Sequence, residues 1–458
     1  METSEVNGAA VIPTIQETTE ASSAAPATRP TKKRHVVLFI LCLLYLISYL
    51  DRTAIAVAAP QIMNEFNFSK TQMGIVFSAF FYTYAMFQIA GGMLGDYYGP
   101  RRVLTLLMSW WSVFTLVTGM AWNMASMFVI RLMFGLGEAG GFPVATRAMA
   151  TWFRPEDRGN LQGITHAASR FGAAVSPPVA VFQMLEYGWR AVFYVLGVVG
   201  LLWAVAFYFY YRDNPKDHKG VNAAEVNLIT ANRVKVATVR KEKKKIPWGT
   251  ILRSRHIWAL VFSDFCYGYT LWVYLTWLPT YLVQNRHFSI LKMGIYATFP
   301  LLAGMAGDIV GGWLSDYLYK KTGNLRLARC YLIGVAFVGS VTFTLLGAYA
   351  QNAYSAVYLL SSAMFFLECS NSNLWAIAMD LGGDHFAGTV SGFMNTGQGV
   401  AGMISPIAFG AIIDATGSWT IPFFISTIVL LLGAISIMTI NPSKSIDALP
   451  ELKMAQAK

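Results

Sequence analysis

The chain has 458 residues, of which 55% are hydrophobic and 13% are charged. Soluble domains of average composition carry about 25% charged residues, so this balance excludes an ordinary soluble fold and indicates a multi-pass membrane protein. The formal net charge of +11 could suggest a nucleic-acid partner. Most Lys and Arg residues, however, lie in the N-terminal tail and in alternate loops, which is the positive-inside pattern. We therefore expect a lipid bilayer and no nucleic acid as partner, both termini in the cytoplasm, and a monomer.

Windows of about 20 predominantly apolar residues predict transmembrane helices. Because the chain holds twelve of them, we predict an all-α membrane protein with twelve transmembrane helices in two six-helix bundles. The windows are 35–58, 72–95, 103–122, 126–149, 160–182, 190–211, 256–283, 293–316, 327–349, 354–380, 387–412 and 419–440.

The polar stretches between and around these windows set the predicted domain boundaries. Residues 1–34 have no early apolar run, so they predict a disordered cytoplasmic tail and not a signal peptide. The bundles are predicted over 35–211 and 255–441, joined by a basic cytoplasmic linker over 212–254. Residues 442–458 are predicted to form a second cytoplasmic tail.

One short element occurs twice in the chain. The second window ends in a loop that combines glycines, a carboxylate and two arginines, namely Gly92, Asp96, Gly99, Arg101 and Arg102. A related element ends the eighth window as Gly312-Trp-Leu-Ser-Asp316. Its recurrence at the second and eighth windows is typical of a protein built from two similar halves.

The fourth window is apolar and yet contains Arg131 and Glu138. Seven residues are nearly two helical turns, so both charges project from one face about 10 Å apart. An ionisable group at membrane depth costs about 2.5–3.5 kcal/mol even on lenient scales, so both side chains require a water-filled cavity or a partner. We predict that this helix lines a transport pathway, with Arg131 as an anion ligand and Glu138 as a proton carrier. Asp51 and Arg52 lie in the first window and, as helix neighbours, need not pair with each other.

These residues resemble the anion–cation symporter branch of the major facilitator superfamily, which includes bacterial galactonate, glucarate and hexuronate transporters. The resemblance covers about residues 36–440. The motifs that carry it are Tyr49-Leu-Asp51-Arg52, the loop from Gly92 to Arg102, Arg131 with Glu138, Phe142-Pro143, residues 276–281 and Gly392-Phe-Met-Asn395.

The resemblance implies roles for these residues. Asp51 and Glu138 would carry the coupled proton, which is the only cofactor implied, and Arg52 and Arg131 would serve an anionic substrate. The repeated loop, with Asp316 in its second copy, would gate the pathway. Further substrate contacts are implied at Tyr49, Tyr84, Ser372, Trp375 and Asn395, and secondary candidates are Gln88, His166, Glu368 and Gln398. The alternative for the charged set is structural ion pairing without a role in turnover, and for each polar residue it is a helix–helix hydrogen bond.

Two positions depart from the galactonate-type pattern. Arg170 and Asp264 stand where those relatives have glutamines, so the double exchange leaves the formal charge unchanged. We predict that the two side chains face each other as a buried ion pair. The alternative is that Arg170 is free and binds a second acidic group of the substrate, which would then be a dicarboxylate.

The sequence therefore favours a transporter of the bacterial inner membrane. The expected activity is proton-coupled symport of a small organic anion, such as a hexonate, hexuronate or aldarate, by alternating access. An exchanger or uniporter for a dicarboxylate or an aromatic acid is the alternative, and a membrane sensor without transport is a third. An enzyme is not expected, because nucleophile elbows, phosphate-binding loops and metal-ligand spacings are absent from the sequence. The four cysteines, at 42, 266, 330 and 369, predict no disulfide.

Overall fold

The computed structural model describes residues 29–154, 158–230 and 248–444. Within these ranges every regular element is helical, which confirms the all-α prediction there. The predictions for most of the N-terminal tail, the polybasic part of the linker and the C-terminal tail fall on residues outside these ranges. The exact division into two bundles stays a prediction, and we use "first half" for residues 33–210 and "second half" for residues 255–438.

Seven helices make up the first half. They are α1 (Lys33–Phe66), α2 (Lys70–Tyr98), α3 (Pro100–Thr118), α4 (Met124–Glu138), α5 (Gly141–Trp152), α6 (Arg158–Tyr187) and α7 (Trp189–Tyr210). The predicted fourth window is thus split into α4 and α5, because the helix is interrupted at Ala139 and Gly140.

The described part of the linker contains a 3-10 helix (Pro215–Asp217) and two short α-helices, α8 (Ala223–Thr230) and α9 (Trp248–Arg253). The second half contains α10 (Arg255–Gln284), α11 (Ile290–Tyr296), α12 (Thr298–Thr322), α13 (Leu332–Tyr349), α14 (Ala353–Glu368), α15 (Asn371–Thr416) and α16 (Thr420–Met438). The long helix α15 bends at Gly383, whose φ of 62° is left-handed. This bend separates the predicted tenth and eleventh windows, and glycine adopts such a φ without a Cβ penalty.

The described residues contain eight helices or helix pairs that are long and apolar enough to cross a membrane, or nine if the bent α2 is one span. The remaining long helices, α3, α6 and α10, have 19, 30 and 30 residues. A total of twelve spans therefore stays a prediction.

The two halves repeat one packing arrangement. In the first half, α2 crosses the break between α4 and α5, and a Cβ atom on Gly91 would overlap the backbone of Gly140. In the second half, α12 crosses the break between α14 and α15, and a Cβ atom on Gly311 would overlap the backbone of Cys369. Small residues allow helix backbones to approach this closely in membranes. Each half thus has an interrupted helix held by a glycine of a neighbouring helix.

The halves contact each other at the end of the helices that is farther from Lys33, which we call the far end. There the Asp414 carboxylate of α15 accepts hydrogen bonds from the Lys70 N–H at 3.1 Å and the Thr71 N–H at 2.7 Å, at the start of α2. Just inside, Gly74 of α2 packs on the carbonyl of Pro406 so closely that a Cβ atom would overlap it. The carboxylate satisfies N–H groups that the first turn of a helix leaves without partners. The far end is therefore closed by backbone contact as well as by side chains.

The linker is attached to the start of α1 through Glu225 of α8. This fully buried carboxylate accepts hydrogen bonds from the Lys33 and Arg34 N–H groups, both at 3.1 Å, and from the Thr31 hydroxyl. Lys32 at the N-cap has a left-handed φ of 59° and gives no side-chain cap. Glu225 therefore supplies from the linker the cap and the negative charge that a helix N-terminus favours.

We expect Glu225→Gln to lower the melting temperature of the purified protein by a few degrees at pH 7. Burial acts to raise the pKa of Glu225, but hydrogen bonds from Thr31, Arg34 and Lys33 outweigh it and the pKa is lowered. A lowered folded-state pKa gives stability that is present above the unfolded pKa and is lost as the pH falls through the folded one. The difference between variant and parent should therefore shrink below about pH 4. The matched control is Glu186→Gln, at an exposed position of α6, and equal melting temperatures of Glu225→Gln and parent at pH 7 would contradict the prediction.

Candidate functional site

A cavity of about 440 Å³, its opening included, lies between α1, α2, α4 and α10. Two of the predicted ligands, Arg52 and Arg131, line it together with Tyr49. The other lining residues, which sequence reasoning did not single out as ligands, are Thr53, Ile55, Ala56, Phe77, Phe80, Phe81, Trp272, Leu275 and Thr276.

Arg52 is held by an ion pair and by aromatic rings. Its Nε donates to Glu138 Oε1 at 2.9 Å, and the Ser48 hydroxyl donates to the same carboxylate oxygen. The centroids of four rings, Tyr84, Phe80, Tyr49 and Phe142, lie 4.6, 5.0, 5.1 and 5.2 Å from its guanidinium carbon. Cation–π contacts of this kind stabilise a desolvated arginine. Its Nη2 has no hydrogen-bond partner among the described residues, so a donor is available beside the cavity.

Arg131 is buried without a carboxylate partner. The residue is 3% exposed, and its guanidinium carbon lies 4.4 Å from the ring centroid of Phe134. None of the ion pairs formed within the described ranges includes it, and its Nε has no hydrogen-bond partner there. Asp51 and Glu138 lie within electrostatic range of Arg131 but form no ion pair with it. The guanidinium group of Arg131 is therefore available to an anion that enters the cavity.

Asp51 completes a cluster of two guanidinium and two carboxyl groups. It is 2% exposed, and neither of its carboxyl oxygens has a hydrogen-bond partner in the described part of the chain. It lies within electrostatic range of Arg131 and Glu138. Glu138 also keeps one oxygen, Oε2, without a partner. The sequence reasoning located these four charged residues, and the structure brings all four together.

The predicted pair of Arg170 and Asp264 is wrong in this structure. Arg170 Nη2 donates to Glu368 Oε2 at 3.0 Å, and the Tyr267 hydroxyl donates to the same oxygen at 3.0 Å. Asp264 lies nearly one turn before Tyr267 on α10, is 2% exposed, and takes part in none of the ion pairs of the described ranges. The physical reason is that Asp264 contacts the backbone of Gln398 on α15, whereas the acid that reaches Arg170 comes from α14. Arg170 is therefore not a free cation either.

The remaining predicted contacts lie away from this cavity. Ser372 donates to the carbonyl of Asp308 at 3.4 Å, and Trp375 is 38% exposed. His166 is exposed and packs edge-on against Tyr45. Three half-buried residues, Gln88, Asn395 and Gln398, are also outside the cavity lining. Tyr84 joins the site through its contacts with Arg52.

The first copy of the repeated loop fixes helix ends at the surface. Asp96 pairs with Arg147 Nε at 3.3 Å, and the Arg101 N–H donates to the Asp213 carboxylate at 2.8 Å. Gly99 has a left-handed φ of 84° and approaches Asp213 where a Cβ atom would be crowded. Gly92 packs on the side chain of Pro143, and Arg102 is exposed.

The second copy of the loop forms a corresponding cluster. Asp316 lies 3.5 Å from Arg329 Nη1, and Asp380 lies 3.8 Å from Arg329 Nε. In both copies the loop aspartate therefore faces an arginine. Gating by either loop stays a prediction.

Two hydroxyl donors, Ser48 and Tyr267, were missed by the sequence reasoning. Each donates to a glutamate that ends an interrupted helix, and each lies twelve residues before the proline inside the first long helix of its half, Pro60 or Pro279. This common spacing is visible in the sequence and could have identified both.

Comparison with known proteins agrees with this architecture. The Major Facilitator Superfamily profile matches residues 41–406. A bacterial homologue of the human lysosomal transporter Spinster, solved in an inward-facing and unoccupied conformation, superposes with a TM-score of 0.74 at 17% identity, covering 91% of this chain and 98% of that one. At this identity the likeness concerns the fold alone.

Several other transporters are more similar to this chain in sequence than the Spinster homologue is. A probable sulfoacetate transporter of Cupriavidus necator is 44% identical over 93% of this chain and 98% of the relative. The hexuronate transporter of Bacillus subtilis is 32% identical over 86% of this chain and 92% of its own length. A probable galactarate/D-glucarate transporter of Escherichia coli is 32% identical over 84% and 89%.

These relatives are transporters and not enzymes. Three observations point to the same family: the profile match, the relatives, and the buried charges of the first and fourth windows. The chain belongs to the Major Facilitator Superfamily, and within it to the anion–cation symporter branch.

Proposed function

We propose that the protein is a proton-coupled symporter of a small organic anion. The observation that carries the proposal is Arg131, a buried guanidinium without an ion-pair partner that lines the same cavity as Arg52. Arginine binds carboxylate and sulfonate oxygens well because its planar fork can donate two parallel hydrogen bonds. Two such groups beside one cavity fit an anionic ligand.

The polar groups of the cavity favour a short acid with few hydroxyl groups. The hydroxyls of Thr53 and Thr276 donate to carbonyls of their own helices at 2.7 and 2.6 Å, so their protons are already engaged. Besides the two arginines, the lining offers the Tyr49 hydroxyl and the Trp272 indole N–H, which has no hydrogen-bond partner among the described residues. A sugar acid buried there would have hydroxyl groups without hydrogen-bond partners, and burying such unpaired groups costs binding free energy. A compact anion like the sulfoacetate in the name of the Cupriavidus necator relative fits better than the hexuronate or glucarate of the others.

The charge balance of the site supports proton coupling. With all four groups ionised, Arg52, Arg131, Asp51 and Glu138 sum to zero. A bound acid group makes the cluster negative in a low-dielectric environment, where net charge is expensive. Each proton taken up by a carboxyl group offsets one acid group of the ligand, so a ligand with two acid groups, such as sulfoacetate, requires two protons for neutrality. Asp51 suits this role because none of the ion pairs within the described ranges includes it, and the Trp111 side chain lies beside its carboxyl group.

Alternating access would use the contact surface between the halves. The far end is closed by the contacts of Asp414 and Gly74. If the termini are cytoplasmic, as the distribution of basic residues favours, the closed end faces away from the cytoplasm. We further propose twelve spans, the bacterial inner membrane as location, and a monomer.

Transport assays in liposomes test the coupling. The parent should accumulate the substrate against its gradient when the outside is acidic. Asp51→Asn and Glu138→Gln should lose accumulation, because a permanently neutral group cannot release its proton, and at least one of them should retain counterflow exchange.

Glu186→Gln, at an exposed position, serves as the control and should accumulate like the parent. Full proton-driven accumulation in both carboxyl variants would show that coupling lies elsewhere. A parent that exchanges but never accumulates would instead support the exchanger or uniporter alternative, and one that neither exchanges nor accumulates any tested acid would support a sensor.

Arg131→Gln should weaken anion binding by about 10- to 100-fold, the range expected for losing a hydrogen bond to a charged group. The measurement is the thermal shift of purified protein titrated with sulfoacetate, glucarate and glucuronate, since a ligand that binds the native state raises its stability by mass action. Sulfoacetate should give the largest shift in the parent. Arg253→Gln, on the exposed face of α9, is the control, and affinity within threefold of the parent in Arg131→Gln would remove Arg131 from the site.

A further inference from the structure

Glu138 and Glu368 occupy corresponding places in the two halves. Glu138 is the last residue of α4 and Glu368 is the last residue of α14, and in both cases the helix is interrupted directly after the acid. Each break is crossed by a glycine of a neighbouring helix, Gly91 or Gly311. Both glutamates are 1% exposed. The second half therefore contains a structural counterpart of the proposed proton carrier.

The hydrogen bonds of the two carboxylates also correspond. Each accepts a hydroxyl from the first long helix of its own half, Ser48 or Tyr267, and an arginine N–H, from Arg52 at 2.9 Å or Arg170 at 3.0 Å. In each carboxylate the second oxygen has no partner among the described residues. Glu368 therefore has the same pattern of hydrogen bonds as Glu138, and its second oxygen is available to bind a proton.

The two ion pairs differ in where their arginines come from. Arg52 and Glu138 both belong to the first half and can move together as one body. Arg170 belongs to α6 of the first half, whereas Glu368 belongs to the second half, so this bridge crosses the surface along which the halves must move apart. A buried bridge that opens leaves two uncompensated charges. Motion of the halves is therefore opposed as long as Glu368 is ionised.

The surroundings of Glu368 contain the groups that a proton switch requires. The facing charged and titratable side chains are Arg170 from α6, Tyr267 from α10 and Asp308 from α12, and His166 lies near Arg170 one turn along α6. Asp308 is a second acid within electrostatic range, so a proton on Glu368 also relieves like-charge repulsion. Tyr267 can remain hydrogen-bonded to the protonated acid.

We infer that Glu368 is a second proton-binding carboxyl and that its bridge to Arg170 is a latch between the halves, closed in this conformation and opened when Glu368 is protonated. The latch rests on the proposed alternating access and adds to it a second proton site in the second half. Binding of one proton converts the carboxylate to the neutral acid and leaves Arg170 able to separate from it. Arg52 and Glu138, by contrast, belong to the same half, so motion of the halves does not require their contact to open.

The test measures the separation of the halves without any transport. Spin labels are placed on the far end at Tyr187 of α6 and Tyr349 of α13, which are 77% and 69% exposed, after replacement of the native cysteines. Distances are recorded by pulsed electron spin resonance in lipid nanodiscs without substrate, at about pH 8 and about pH 5, values that span the usual range of a buried carboxyl. The parent should gain a longer-distance population at the lower pH.

Glu368→Gln should show the longer-distance population at both pH values, with a ratio of long to short at least tenfold above the parent at pH 8. The double variant Arg170→Gln/Glu368→Gln should behave in the same way. Because it leaves no unpaired charge, it tests the latch even if the single variant has a folding defect. Glu65→Gln is the matched control, because the Glu65–Arg190 pair at 2.7 Å lies within the first half. It should keep the pH response of the parent.

Parent-like distance distributions at both pH values in Glu368→Gln and the double variant would overturn the latch, as would a parent whose distances do not depend on pH. Failure of the proposed function would look different. A protein whose halves separate as described but which accumulates no organic anion would contradict symport while leaving the latch in place.

Discussion

The Arg52–Glu138 ion pair at the break after α4 is the interaction on which the site depends. A carboxylate and a guanidinium in apolar helices need each other and need further hydrogen bonds, and the structure supplies the Ser48 hydroxyl to the acid and four aromatic rings to the cation. The break itself requires close packing, which Gly91 provides against Gly140. With Arg52 balanced in this way, Arg131 is left as the cation of the cavity without a partner among the described residues. The site thus combines one ion pair with one guanidinium group that has no direct ion-pair partner and that a ligand can contact.

The second half repeats this construction with one change. Its buried glutamate takes its arginine from the opposite half, so the same type of ion pair that organises a site within the first half joins the two halves here. Because both places use a carboxyl group, protonation can act at each of them: it neutralises an acid beside the substrate in the first half and releases a contact between the halves in the second. Protein interiors are bistable rather than continuously deformable, and a bridge that is either formed or broken suits a transporter with two alternating states.

Much of this could be predicted from the sequence, because charges in apolar windows are rare and expensive. Arg131, Glu138, Asp51 and Arg52 were located by that principle alone, and the helical windows follow from length and hydropathy. Partner choice could not be predicted. Charge balance suggested Asp264 as partner of Arg170, but Glu368 was available too, and only the helix faces decide between them. The apolar lining that favours a short acid could not be predicted either, because in the sequence Phe77, Phe81 and Trp272 cannot be distinguished from core residues.

The central claim is that an acid group binds between Arg52 and Arg131. An experimental structure of the protein saturated with sulfoacetate tests it most directly. The account predicts one acidic group of the ligand within hydrogen-bond distance of both guanidinium groups, with the Arg52–Glu138 pair intact. A ligand bound elsewhere, with Arg131 still unpaired in the cavity, would contradict it.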